Sequence, residues 1–240
     1  FTARKGAGLL DDENIFYVEK VKSSIWGTPQ MLKGNINSQN NEGSISLTSD
    51  SKFMVYTSCE LNFKKNSCDL FYAEMINGVW AQPRKMSQNI NSEYWDSQPN
   101  LSHDGNILFF VSNRPGGKGG RDIWYSIRDD SKNWSPAKNL SEKINSKYDE
   151  ASPFISGNML DFYFSSNKIS SYGGFDIYRA HNFNLNFENI INIGYGINNH
   201  LDQSSFVIND HLIVYTEEDR LSDFIKSKLI IGEFNVFKQR

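Results

Sequence analysis

Short apolar runs of about five residues recur along the chain, each bounded by Gly, Asn, Asp, Ser or Pro, which is the arrangement expected of strands separated by turns. The clearest example begins with Gln98-Pro-Asn-Leu-Ser102, broken by His103-Asp104-Gly105-Asn106, and continues with Ile107-Leu-Phe-Phe-Val111. A glycine-rich connection, Pro115 to Gly120, leads to Asp122-Ile-Trp-Tyr-Ser126, and a last strand follows Trp134-Ser-Pro136 toward Leu140. The Asp-Gly pair predicts a tight hairpin of type I′, in which both central residues take positive φ. No segment of about ten residues or more sustains a helical apolar period between caps, so the chain reads as all-β.

The same four-strand unit repeats. Trp26, Trp80 and Trp134 are spaced 54 and 54 residues apart, and Phe187 follows 53 later. Ile36-Asn37, Ile90-Asn91, Ile144-Asn145 and Ile197-Asn198 keep the same phase, as do Asp69-Leu-Phe-Tyr, Asp122-Ile-Trp-Tyr and Asp176-Ile-Tyr-Arg. Pro29, Pro83 and Pro136 follow the repeat tryptophans at the start of the fourth strand, where a missing N–H is tolerated and an outer edge is protected. Four strands per repeat of this length predict a β-propeller of four-stranded antiparallel blades. One domain over residues 1–240 is expected to hold five blades: a partial one at 1–32, full ones at 33–86, 87–140 and 141–193, and an incomplete one at 194–240. An open fragment of a larger ring is the competing arrangement.

Composition adds exclusions. With 25 Lys and Arg against 28 Asp and Glu, the net charge of −3 gives no reason to expect nucleic acid or an anionic membrane as partner. No apolar run approaches the roughly 20 residues of a membrane helix, so direct membrane insertion by this domain is not expected. The first residues, Phe1-Thr-Ala-Arg-Lys, start as if inside a strand, as expected of an excised or processed domain, in which case any export signal or lipid anchor would lie upstream.

Several residues are candidates for chemistry. Glu42, Asp96, Glu150 and Asp202 fall near the start of each innermost strand, and are expected to crowd one mouth of the central channel. They read either as a carboxylate ring that binds a cation, a glycan or a basic side chain, or as repeated anchors of one backbone turn. Because they follow the repeat, whereas catalytic groups need different roles, the structural reading is preferred. Asp69, Asp122 and Asp176 precede the third strand and are expected to accept N–H bonds from the turn before them. Arg114, Lys118 and Arg121 cluster on one connection, either gripping an acidic partner or standing as solvated charges. The glycines there precede a strand, not a helix, which excludes a phosphate loop. Cys59 and Cys68 flank the corresponding connection of the preceding blade, where facing strand ends can form a disulfide in an oxidising compartment. The histidines are scattered among turns, and no spacing calls for a metal or a cofactor. No nucleophile has a partnered base, so a non-catalytic domain is expected.

The stretch from Ser112 to Tyr125, Trp134-Ser-Pro, Asp149-Glu-Ala-Ser-Pro-Phe154 and Gly173-Gly-Phe-Asp-Ile-Tyr178 resembles TolB-type, WD-like propeller repeats. More narrowly, the variant resembles propeller domains of OmpA-family cell-envelope proteins of Bacteroidetes-type bacteria, among them the PorE-like component of type IX secretion. That resemblance implies a periplasmic or outer-membrane-associated scaffold that binds protein partners without catalysis. The alternative is a five-bladed propeller that binds or cleaves carbohydrate with carboxylates in its central channel. A lectin-like module with one shallow site per blade is a weaker third reading.

Overall fold

Apolar alternation is realised as strands throughout, and no helix occurs among the residues described by the computed structural model, which are 1–4, 12–22, 25–60, 68–210, 212–220 and 226–233. The first blade holds β1 (Thr2–Arg4) and β2 (Glu13–Tyr17), then the small hairpin β3 (Lys20–Lys22) and β4 (Ile25–Trp26), and finally β5 (Gln30–Met31), in sheet order β1-β2-β5. The second comprises β6 (Asn41–Leu47), β7 (Phe53–Cys59), β8 (Cys68–Ile76), β9 (Val79–Trp80) and β10 (Arg84–Lys85), ordered β6-β7-β8-β10 with β9 paired to β8. The third runs β11 (Asp96–Leu101), β12 (Ile107–Ser112), β13 (Asp122–Ile127), β14 (Lys138–Asn139), and the fourth β15 (Glu150–Ile155), β16 (Asp161–Ser166), β17 (Asp176–Phe183), β18 (Asn186–Asn192). The fifth is β19 (Asp202–Asn209), β20 (Leu212–Asp219) and β21 (Lys226–Glu233). All pairings within these sheets are antiparallel, and the arrangement is a five-bladed β-propeller. Among the described residues the first sheet has no innermost strand, the fifth no outermost one, and no strand of one contacts a strand of the other.

Packing between blades follows from the repeat. Phe53, Val55 and Leu70 of the second blade pack with Leu101, Leu108 and Phe110 of the third, and Phe109 of the third packs with Phe162 and Phe187 of the fourth. The Ile-Asn motif has a structural role that its spacing did not reveal. Asn91 accepts from Leu70 N at 2.8 Å and donates to Leu70 O at 3.0 Å and Met86 O at 3.0 Å, joining the third strand of one blade to the chain entering the next. Asn145 and Asn198 do the same to Ile123 and Ile177.

The Asp-Gly hairpin is not type I′. Gly105 N donates to Ser102 O at 2.8 Å and only Gly105, at φ +73°, is left-handed, which makes a type I turn closed by a left-handed residue. Side chains impose this shape: Ile107 N donates to Ser102 Oγ and Asn106 N to Asp104 Oδ1. Thr48 with Asp50, and Ser156 with Asn158, build the equivalent turns, closed by left-handed Ser51 and Met159.

Each innermost strand carries a bulge centred on a left-handed residue, Ser44, Gln98, Ser152 or Ser205, with φ of 43–55°. These bulges face the propeller axis and, with Pro99, Pro153, Phe154 and Phe206, surround a central cavity of about 100 Å³; further along the same strands, Leu47, Leu101, Ile155 and Ile208 line a second axial pocket of about 310 Å³.

Candidate functional site

The repeated carboxylates do not open onto the channel. Glu42, Asp96 and Glu150 are at most 1% exposed. Each closes the turn before its strand, accepting from Ser38 N (2.9 Å) and Ser38 Oγ (2.6 Å), from Ser92 N (2.6 Å) and Ser92 Oγ (2.7 Å), and from Ser146 N (2.9 Å) and Ser146 Oγ (2.7 Å) respectively. Burial raises the carboxyl groups of Glu42 and Glu150 above their ordinary value, with the serine hydrogen bonds pulling the other way. Asp202 does not belong to this set. The strand register aligns Gln203, opposite Glu217, with Glu150 opposite Ser166, and Gln203 Oε1 accepts from Asn199 N at 3.0 Å. Asp202 is the counterpart of Asp149: their Oδ1 atoms accept Phe175 N at 2.8 Å and Arg121 N at 2.9 Å. Asp202 lies 52 residues after Glu150, one short of the 53-residue step that links Glu150 to Gln203 and Asn145 to Asn198.

Asp122 and Asp176 take the predicted turn role. Asp122 accepts from Lys118 N and from Gly119 N at 3.1 Å, and Asp176 from Tyr172 N at 2.7 Å and Gly173 N at 3.3 Å. Asp69 pairs with Lys85 Nζ at 2.7 Å, and the preceding connection, 61–67, lies outside the described residues. Cys59 and Cys68 are cross-strand partners joined by a disulfide, with Cα atoms 4.1 Å apart.

The three basic residues have separate roles. Arg114 is not a solvated charge: its guanidinium binds Asp96 Oδ1 and Ile90 O at 2.5 Å each and stacks on Phe110 and Trp124. Lys118 makes an exposed pair with Glu142 at 3.4 Å. Arg121 extends over the Trp95 ring, 5.2 Å from its centroid, and has no ion pair.

Arg121 and Trp95 wall a cleft of about 420 Å³ where the second and third blades meet, completed by Asn41, Asn113, Glu60 and the disulfide. Its size lies within the roughly 300–1,000 Å³ of small-molecule sites, as does the axial pocket of about 310 Å³, whose lining among the described residues includes no Asp, Glu, Lys or Arg. The cleft's polar groups converge with free valences. Asn41 Oδ1 accepts Glu13 N at 2.8 Å and Asn113 Oδ1 accepts Trp95 N at 2.9 Å, which fixes both side chains and leaves both amide NH₂ groups available. Glu60 is exposed and has no hydrogen bond or ion pair among the described residues. Three donors and one acceptor beside an aromatic ring can hold a polar ligand in a defined orientation.

One of these residues breaks the repeat: Trp95 stands where the other blades carry Asn41, Asp149 and Asp202. The equivalents of Glu60 are Arg114 in the third blade, Lys168 in the fourth and Asp219 in the fifth, and those of Arg121 are Cys68 in the second and Phe175 in the fourth, so neither position has a shared residue type. Lys168 lies over the Tyr178 ring, and burial lowers its affinity for a proton. The departure at Trp95 was readable in the sequence, but the acids that conserve the repeat drew the reading away from it.

No protein-family model matches the sequence, and no curated protein matches it. Among solved structures, the chain is similar to an endo-arabinase from Bacteroides thetaiotaomicron (TM-score 0.61, 11% identity), covering 94% of this chain and 87% of that one. It is also similar to an α-L-arabinofuranosidase from Lactobacillus brevis (TM-score 0.50, 12% identity, 80% of this chain and 68% of that one). A third similarity is to a puromycin-hydrolyzing peptidase from Mycobacterium tuberculosis (TM-score 0.53, 10% identity), covering 87% of this chain but spanning only 29% of the peptidase. At such identities the likeness establishes the fold. It also overturns the ground for expecting a non-catalytic domain, which was the regularity of the repeat acids: an endo-arabinase and an α-L-arabinofuranosidase are built on the same architecture, so a propeller of this kind is no argument against catalysis. The physical reason is that the acids of the repeat are turn anchors, so their regularity carries no information about chemistry elsewhere on the blades.

Proposed function

We propose that the chain is a carbohydrate-active propeller that seats a glycan in the cleft between the second and third blades, with Glu60 as the carboxylate presented to it. The observation that carries this reading is the convergence of Trp95, Arg121, the Asn41 and Asn113 amides and unpartnered Glu60 in one cleft of ligand size. Sugars offer apolar ring faces to aromatic side chains and hydroxyls to amides and carboxylates, and this lining supplies both. Glu60 is the group in the cleft able to exchange a proton with a sugar hydroxyl or a glycosidic oxygen. The fold shared with an endo-arabinase and an arabinofuranosidase supports the same substrate class. The test is a panel of oligosaccharides and polysaccharides, arabinans included, read by tryptophan fluorescence and by release of reducing ends. Trp95→Ala is expected to abolish binding, and Glu60→Gln to abolish product release while binding persists. Absence of binding and release across the panel would overturn the proposal.

We place the chain in an oxidising compartment such as the bacterial envelope, a reading supported by the Cys59–Cys68 disulfide. A second reading, docking of an envelope protein, is favoured by the exposed Phe183 and Leu160, which with Ile107 and Leu185 line a shallow groove of about 320 Å³ at one rim. Phe183→Asp would then block co-purification of the partner and leave glycan binding intact.

A further inference from the structure

We infer that the glycan taken by the cleft is acidic, with a sugar carboxylate seated between the Arg121 guanidinium and the free amides of Asn41 and Asn113. The inference rests on the glycan reading and goes beyond it by naming the charge of the sugar.

The cleft presents N–H donors that have no protein partner among the described residues. Arg121 has its side chain fixed against Trp95 and no carboxylate partner, unlike Arg114, whose guanidinium is spent on Asp96. A guanidinium presents a rigid planar fork that matches a carboxylate bidentately, and stacking on an aromatic ring limits its freedom before the ligand arrives. The two amides are oriented in the same way, because their oxygens are already committed to Glu13 N and Trp95 N. That leaves N–H donors for the cleft; a neutral sugar can meet them only with separate hydroxyl oxygens, whereas one carboxylate accepts from all of them and matches the charge of Arg121. Glu60 shares the cleft but forms no ion pair with Arg121 among the described residues, so the guanidinium fork stays open to a ligand carboxylate. A uronate satisfies the whole lining: its carboxylate takes the donors and its hydroxyls donate to Glu60.

The repeat supplies the appropriate variants. Aspartate occupies the position of Asn41 in the fourth and fifth blades, where Asp149 and Asp202 accept the same backbone N–H. Asn41→Asp therefore keeps the structural bond and exchanges a cleft donor for a negative charge. Asn113→Asp does the same while preserving the bond from Trp95 N.

The experiment is calorimetric titration of the whole chain with trimers of galacturonate, glucuronate and mannuronate, each beside its carboxyl-reduced neutral counterpart. At least one uronate is expected to bind about 10- to 100-fold more tightly than its reduced form, the range of a charge-assisted bidentate contact. Arg121→Gln should remove that preference, Arg121→Lys should keep part of it, and Asn41→Asp should remove it with an unchanged melting temperature. Raising the salt concentration should weaken the uronate and spare the neutral sugar. Equal binding of acidic and reduced sugars, or a preference that survives Arg121→Gln and Asn41→Asp, would overturn the inference and leave the glycan reading standing. Binding of no glycan at all, neutral or acidic, would instead remove the reading on which it rests.

Discussion

Replacing Arg114 by methionine decides whether the repeated acids serve the fold or a ligand. Asp96 is fully buried and receives three hydrogen bonds, from Ser92 N at 2.6 Å, Ser92 Oγ at 2.7 Å and Arg114 at 2.5 Å. Methionine keeps much of the apolar stem that packs near Phe110 and Trp124 but removes the counter-charge. A buried carboxylate left with two neutral donors should cost about 3–5 kcal/mol of stability, the range found when one member of a buried pair is removed. Asp96→Asn leaves a guanidinium whose side chain is 13% exposed and can recruit water, so its cost should be smaller, about 1–3 kcal/mol. In the double variant the orphaned charge is gone, and the two losses should fall short of additivity by about 1–3 kcal/mol. Urea unfolding followed by tryptophan fluorescence measures all four proteins, with glycan affinity measured in parallel. Losses that add within about 0.5 kcal/mol would refute the pairing argument. A stable Asp96→Asn that no longer binds glycan would show that this acid faces a ligand after all.

Three further outcomes follow from other parts of the fold. Burial raises the Glu150 carboxyl above its ordinary 4.5, so between that value and the raised one the folded chain holds more protons than the unfolded chain. Stability therefore falls as pH rises through this window and stays lower above it; Glu150→Gln should flatten the melting temperature against pH and cost nothing at neutral pH, as Gln203 already fills the equivalent position. A Cβ on Gly119 would collide with the carbonyl oxygens of Tyr148 and Ser146, so Gly119→Ala should cost about 1–3 kcal/mol in urea unfolding, whereas Gly157→Ala, which meets only His103 Cδ2 at 3.5 Å, should be neutral. Reducing the Cys59–Cys68 disulfide should lower stability by about 2–3 kcal/mol on the loop-entropy argument and weaken glycan binding, because both sulfurs border the cleft; reductant that leaves affinity unchanged would detach the disulfide from the site.

The propeller was legible in the sequence because its determinants are local and repeated: strand alternation, turn residues and anchors in phase. The disulfide was legible for the same reason, since Cys59 and Cys68 end facing strands. The innermost-strand bulges were not, because a left-handed Gln98 or Ser152 carries no residue-type signal; glycine would have announced the conformation, and serine and glutamine do not. The fate of Arg114 was hidden because its partner Asp96 lies 18 positions away, and only the pairing of β11 with β12 brings the two together. The cleft was hidden for a related reason. Its walls come from two blades, so no continuous stretch of sequence contains it.

The repeat also works as an internal substitution series, and that is where structure and function separate. The turn-closing position reads Glu42, Asp96, Glu150 and Gln203, and loss of the charge in the last blade leaves the bond to the turn in place. A position that tolerates such an exchange under one geometry is a structural position. The cleft behaves differently at one position: Trp95 stands where the other blades carry Asn41, Asp149 and Asp202. The positions of Glu60 (Arg114, Lys168 and Asp219 elsewhere) and Arg121 (Cys68 and Phe175 elsewhere) share no residue type between blades, so they are free to serve a local purpose. The departure at Trp95 puts a stacking ring in a cleft of ligand size beside the exposed Glu60 and Arg121. The glycan proposal is therefore tested first at the junction of the second and third blades.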